Sequence, residues 1–216
     1  GTVTAKGKGA GFLAEPQKLD QFLDQIFSKL DMKISIKTRI GTHYEEDWEY
    51  LLAIYEKYPI HELIIHPRIQ TDMYRGVPRL GAYEKAVNRL KMPLCYNGNL
   101  FSAADYKRIT ERFPDTCCFM YGRGLITNPG LVTEIREGIR PNKKTVREFH
   151  DCLFEEYREL LSGERNVLFR MKELWSYMAV NFTNYEKYAK KIKKSQHLSE
   201  YSSVVSSLFA EQDLID

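Results

Sequence analysis

Apolar positions open on a helical spacing. Leu19, Phe22, Leu23, Ile26, Phe27 and Leu30 fall at i, i+3, i+4, i+7, i+8 and i+11 and line one face of a 3.6-residue period. A short apolar run, residues 32–39 (MKISIKTR), follows and predicts a strand. The succession then repeats. A helix around Trp48, Leu51, Leu52 and Tyr55 precedes a strand at 61–68 (HELIIHPR), and a helix over 81–90 precedes one at 92–99 (MPLCYNGN). A helix over 102–113, with Ser102 placed to cap it, precedes 117–124 (CCFMYGRG), and Asn128 and Pro129 open one more helix. Strands separated by single helices predict right-handed crossovers and a parallel sheet covered on both faces, so residues 1–140 read as α/β.

From residue 141 to 216 the strand-like runs vanish and amphipathic stretches follow one another, which predicts a helical bundle. The first carries Val146, Phe149, Leu153, Tyr157 and Leu160, with Gly163 expected at its carboxyl end. The next carries Val167, Leu168, Met171, Leu174, Trp175 and Met178; then Tyr185, Tyr188, Ala189 and Ile192 share a face, and Leu198, Tyr201, Val204, Val205 and Leu208 close the chain.

Composition narrows the class. With 43% hydrophobic residues and a net charge of +3 among 216 residues, the chain is neither disordered nor a membrane-spanning protein, since no run of about 18 apolar residues occurs. The opening GTVTAKGKGAGF is loop-like and not a secretion leader, so the expected location is the cytoplasm. Cys95, Cys117, Cys118 and Cys152 show no C-x-x-C spacing; they suggest no metal site and no disulfide framework, and read as small core residues.

Each strand-like run ends in a polar cluster: Lys37-Thr38-Arg39, His66-Pro67-Arg68, Asn97-Gly98-Asn99 and Gly122-Arg123-Gly124. In parallel α/β folds, and above all in the (β/α)8 barrel, the carboxyl ends of the strands carry the site. Any one cluster is equally an ordinary strand end, because Gly, Asn and Arg are common loop residues. Four together point to one ligand, a phosphate ester. Gly98 and Gly124 would admit backbone N–H groups close to an anion, Arg123 would pair with it, and Lys37, an ammonium on an apolar strand, is expected to face inward and meet a ligand or carboxylate.

KTRIG (37–41), HPR (66–68), YNGN (96–99) and YGRG (121–124), at these intervals and in this order, resemble the tRNA-dihydrouridine synthases. The helical tail, with MKELW (171–175) and KKIKK (190–194), is similar to that family's carboxyl-terminal RNA-binding domain. The resemblance implies a (β/α)8 TIM barrel of which residues 1–140 supply the carboxyl-terminal half, with residues 141–216 as a helical tRNA-binding domain. It implies reduction of the uracil 5,6 double bond in tRNA, with FMN taking hydride from NADPH or NADH. Lys37 then corresponds to the lysine beside the flavin ring and His66 to the flavin-contacting histidine, while Asn97, Gly98 and Asn99, with Gly122 and Arg123, correspond to the FMN-phosphate loops. Asn99 stands where the family usually has Asp, which removes a charge.

Family members carry an Asn-x-Gly-Cys-Pro loop, whose cysteine protonates the base, immediately before a stretch like GTVTAKGKGAGFL. The sequence begins just after that point, so the catalytic cysteine is expected before Gly1, and the chain alone is expected not to reduce uridine. The open edges of a half barrel make a homodimer an alternative assembly.

RNA contacts are expected from Arg68, Arg170, Lys172, Lys187, Lys190, Lys191, Lys193 and Lys194, although residues 141–216 hold 12 Lys+Arg and 12 Asp+Glu. Without the resemblance the lysine run reads as a solvated helix face. Two rival functions stand beside the synthase: a free-pyrimidine reductase similar to the dihydroorotate dehydrogenases, and a non-catalytic remnant that binds RNA or its own copy.

Overall fold

The computed structural model describes residue 4 and residues 6–215. Packing divides the described residues into two compact units: those up to Asn99 together with Lys107–Tyr121, and Leu100–Tyr106 together with the residues from Gly122 onward.

The first unit is built on a four-stranded sheet, β1 (Ser35–Arg39), β2 (Glu62–His66), β3 (Leu94–Asn97) and β4 (Cys118–Met120), all parallel and ordered as in the chain. The helices between them are α2 (Asp47–Tyr55), α3 (Leu80–Arg89) and α4 (Ala103–Arg112), preceded by α1 (Pro16–Lys29). Pro16 starts α1 where its missing N–H costs nothing. The alternation of strand side chains gives the sheet two unlike faces. On one, Thr38, Leu63, Ile65 and Tyr96 are buried, and the buried residues of the covering helices include Trp48, Leu51 and Leu52 from α2 and Ala82, Tyr83 and Ala86 from α3. Tyr83 meets Tyr96 and Phe113 edge-on, each at 5.0 Å. Polar atoms there are satisfied internally: the Tyr55 and Thr38 hydroxyls lie 2.8 Å apart, and Trp48 Nε1 donates to the Ala82 carbonyl at 2.8 Å. The register Lys37↔Ile64, Ile64↔Cys95 and Cys95↔Cys118 places these residues together on the opposite, open face. The expected parallel α/β sheet is present, and α2 and α3 pack on the face that carries Thr38 and Tyr96.

Some elements differ from their sequence patterns. In α1 only Leu19 and Leu23 are buried, while Phe22 and Leu30 remain about half exposed. Arg123 and Gly124, read as a strand end, instead begin the short helix α5 (Arg123–Thr127), and a second short helix, α6 (Leu131–Glu137), follows Pro129. Of the four cysteines only Cys95 is buried; Cys117 and Cys152 are exposed.

The second unit also contains α7 (Lys143–Leu160), α8 (Glu164–Met178), α9 (Tyr185–Lys194) and α10 (Leu198–Glu211). Near its start, Ser102 Oγ accepts from the Asp105 amide at 3.1 Å while the Asp105 carboxylate accepts from the Ser102 amide, the reciprocal cap that the sequence pattern predicts. Asn142 caps α7 by accepting from the Thr145 amide at 2.9 Å. Gly163 does not end α7, whose last cap is Leu161; it precedes α8 with φ of 82°, a turn conformation that glycine adopts without a Cβ clash. The core gathers Met171, Trp175, Met178, Phe182, Tyr201 and Leu208, all 1% exposed or less. Behind it, the Asp213 carbonyl accepts from the Thr183 amide at 2.9 Å and tethers the end of the chain.

At the centre of this core lies a relay the sequence does not advertise. Trp175 Nε1 donates to the Tyr201 oxygen at 2.7 Å, leaving the Tyr201 hydroxyl to donate to His150 Nε2 at 2.6 Å, and His150 Nδ1–H donates to Asp151 at 2.7 Å. That arrangement requires a neutral imidazole. Burial accordingly pushes the His150 pKa below 6.5, outweighing the hydrogen bond to Asp151, which acts the other way. Below pH 6.5 the unfolded chain gains a proton that the folded chain refuses, so stability is present above that pH and falls as the solution is acidified. Denaturant midpoints taken between about pH 7.5 and about pH 5.5 are expected to drop, and His150→Gln is expected to flatten the decline.

Candidate functional site

On the open face of the first unit, Lys37 Nζ donates to Asn97 Oδ1 at 2.9 Å across two strand spacings, and Asn97 Nδ2 donates onward to the Met120 carbonyl at 2.7 Å. The amide is thereby fixed with its oxygen toward the ammonium. Lys37 lies exposed on this face, and its partner among the described residues is an amide, Asn97 Oδ1. Partial desolvation by the surrounding sheet, with repulsion from Arg39, holds its pKa below the ordinary lysine value.

His66 ends β2 and is buried, with its Nε2 2.9 Å from Arg68 Nη1. A guanidinium only donates, so Nε2 accepts and the ring proton of the neutral form sits on Nδ1. Arg68 itself is fully buried. It donates to the Arg75 carbonyl at 3.3 Å and Asn99 Oδ1 at 3.1 Å, and also to the Gly76 carbonyl. This is an internal position that organises a loop, where an RNA contact needs a surface one. Asn99 adopts φ of 47°, a left-handed turn that Asn tolerates, and the same turn presents Oδ1 to Arg68. A Cβ on Gly98 would lie 3.2 Å from Pro78, so glycine serves close packing there.

The two loops above β1 and β2 are joined. Gln70 N–H donates to the Gly41 carbonyl at 2.9 Å and Thr71 N–H to the Thr42 carbonyl at 3.1 Å, while Arg39 reaches the carbonyls of Ile69 and Met73 at 2.8 and 3.1 Å. Asp72, paired with Arg79, closes the turn by accepting from the Ile69 amide. Its pKa is lowered chiefly by the Arg79 hydrogen bond, with a contribution from the Arg68 charge.

In the second unit Gly122 precedes α5, and the half-buried Arg123 lies over the Phe101 ring at 5.3 Å. A Cβ on Gly124 would overlap the Leu100 carbonyl oxygen, so that glycine answers to the chain's own backbone and not to an anion, whereas a Cβ on Gly122 would meet nothing within 4 Å. On α9, Lys187, Lys190, Lys191, Lys193 and Lys194 are exposed while Tyr188 and Ile192 are buried. Four of the lysines fall at i, i+3, i+4 and i+7, a stripe about 10 Å long. Arg170 is exposed and paired with Glu173 at 3.0 Å, and Lys172 donates to the Ser195 carbonyl at the end of α9.

A parallel α/β sheet with lysine, histidine and amide groups gathered at its strand ends defines the class, and comparison with known proteins gives the family. The chain matches the family model described as dihydrouridine synthase over residues 1–212, and it belongs to the dihydrouridine synthase family. It is 25% identical to a probable tRNA-dihydrouridine synthase 1 of Synechocystis sp. over 99% of the chain and 59% of the relative. It is 24% identical to tRNA-dihydrouridine synthase B of Vibrio vulnificus over 77% of the chain and 50% of the relative. A tRNA-dihydrouridine(16) synthase of Shewanella oneidensis is 29% identical over 67% of the chain and 46% of the relative. The chain thus spans about half the length of the curated relatives it matches. Among the described residues, no helix is long and apolar enough to cross a membrane.

Proposed function

We propose that this chain works as part of a tRNA-dihydrouridine synthase that reduces uridine in tRNA in the cytoplasm, with FMN as cofactor and NADPH or NADH as reductant. Residues 1–140 act as the carboxyl-terminal half of the (β/α)8 barrel and residues 141–216 as the helical tRNA-binding domain. The observation that carries the reading is the Lys37–Asn97 pair: an ammonium held at 2.9 Å by a fixed amide on the open face of a parallel sheet, in a chain of this family.

The residues present fit a flavin. Lys37 offers its ammonium to an electron-rich carbonyl or ring nitrogen, and Asn97 keeps that ammonium in place. His66, at the end of β2 with its Nε2 accepting from Arg68, is the histidine this reading gives to the flavin. In the second unit, Gly122 and Arg123 are the residues this reading gives to the phosphate; in the first, Gly98 and Asn99 shape their loop. FMN, when bound, supplies the hydride for the base. On α9 the lysine stripe matches a phosphate backbone in sign, and Lys172 serves by holding the end of that helix.

The test is flavin and tRNA binding by the purified chain, read by flavin fluorescence and by filter retention of tRNA. FMN is expected to bind, and Lys37→Met to weaken it by about tenfold, the worth of one charge-assisted hydrogen bond. Changing Lys187, Lys190, Lys191 and Lys194 to Gln is expected to lower the salt dependence of tRNA binding by up to about three log units per log of salt. FMN affinity indifferent to Lys37→Met, or tRNA affinity indifferent to the four changes, overturns the corresponding half of the reading.

A further inference from the structure

Glu62, Cys95 and Cys118 lie on three different strands, so no sequence spacing joins them. The sheet does. The register Cys95↔Cys118 sets the two thiols side by side on the open face, and Glu62, two residues before Ile64, which pairs with Cys95, projects from the same face. One carboxylate oxygen and the two Sγ atoms all lie within 4.8 Å of one another, with Cys95 buried and the other two half-buried.

We propose that Glu62, Cys95 and Cys118 form a three-ligand Zn2+ site, with water completing the tetrahedron from the open side. Zn–S distances of about 2.3 Å and Zn–O distances of about 2.0–2.2 Å place tetrahedral ligand atoms roughly 3.4–3.8 Å apart. The three ligand atoms already lie within 4.8 Å of one another, on adjacent strands. The donor set selects the ion: two sulfurs and one oxygen suit Zn2+, whereas Mg2+ and Ca2+ take oxygen ligands. Two thiolates, a carboxylate and Zn2+ sum to one negative charge. Burial pushes the pKa of both thiols up, and the cation has to displace their protons, so loading strengthens as pH rises. Loading forms two Zn–S bonds and one Zn–O bond, releases the two thiol protons to solvent and moves no electrons. None of the three ligands is among the residues assigned to FMN, so loss of Zn2+ binding and loss of FMN binding are read separately.

The experiment titrates the reduced full chain with Zn2+ against a chromophoric chelator, and in parallel with Cd2+, whose thiolate charge-transfer absorption reports sulfur ligation. One ion per chain is expected. Cys118→Ser and Glu62→Gln, both at half-buried positions whose change leaves the packed face untouched, are each expected to weaken Zn2+ binding by about a hundredfold. Cys117→Ser and Cys152→Ser, at exposed thiols, are expected to change nothing. Absence of Zn2+ uptake, uptake that survives Cys118→Ser and Glu62→Gln undiminished, or a cadmium band lost in Cys117→Ser overturns the proposal.

Discussion

Trp175→Ala is expected to destabilise the helical unit by about 3–5 kcal/mol, a large share of the roughly 5–15 kcal/mol that holds a domain folded. Trp175 is 1% exposed and contacts the rings of His150, Phe182 and Phe209 at 5.6, 6.1 and 6.0 Å, so truncation opens a cavity at the centre of the core. The indole is also a donor. Without it, the Tyr201 oxygen loses its hydrogen bond at 2.7 Å in a site where no water replaces it cheaply. Trp175→Phe restores most of the volume and not the donor. In chemical denaturation it is expected to recover more than half of the loss, and recovery of none would show that the relay, and not packing, dominates.

Arg68→Met is expected to cost about 2–4 kcal/mol, and to do so locally. The methionine fills much of the space but leaves the Arg75 and Gly76 carbonyls, Asn99 Oδ1 and His66 Nε2 without the donor they share. The expected signature is faster amide exchange and easier proteolysis between residues 69 and 79, together with a lower denaturation midpoint. Arg68→Lys is expected to repair little, because one ammonium cannot reach the four acceptors that a planar guanidinium spans. An unchanged protection pattern in Arg68→Met would sink the assignment of Arg68 as organiser of this loop.

Arg68 also shows where sequence reading stops. The order of strands and helices was legible because short apolar runs and stretches of 3.6-residue period alternate along residues 19–139, and the faces of α8, α9 and α10 were legible from the same helical period. Which polar side chains are enclosed was not. A histidine-proline-arginine strand end looks like ligand chemistry, and nothing local reveals that Arg68 turns inward to the loop at 75–76 and to Asn99. The same limit hid Asn97 as the partner of Lys37, and His150 as a buried polar residue on α7, because each pairing is made across the fold. Gly124 invites the opposite error. A glycine beside an arginine suggests an anion cradle, yet its requirement is set by the Leu100 backbone, which only coordinates disclose.

The strand order carries a consequence for how the molecule is made. Each strand pairs with the one synthesised just before it, so the sheet grows at a single advancing edge and no strand has to be threaded between two that have already joined. A nascent chain emerging from the ribosome can therefore add one strand–helix unit at a time, each new pairing closing a loop of similar length. Among the described residues, this sheet can assemble in the order of synthesis, with the three-residue β4 the last of the four strands to be made.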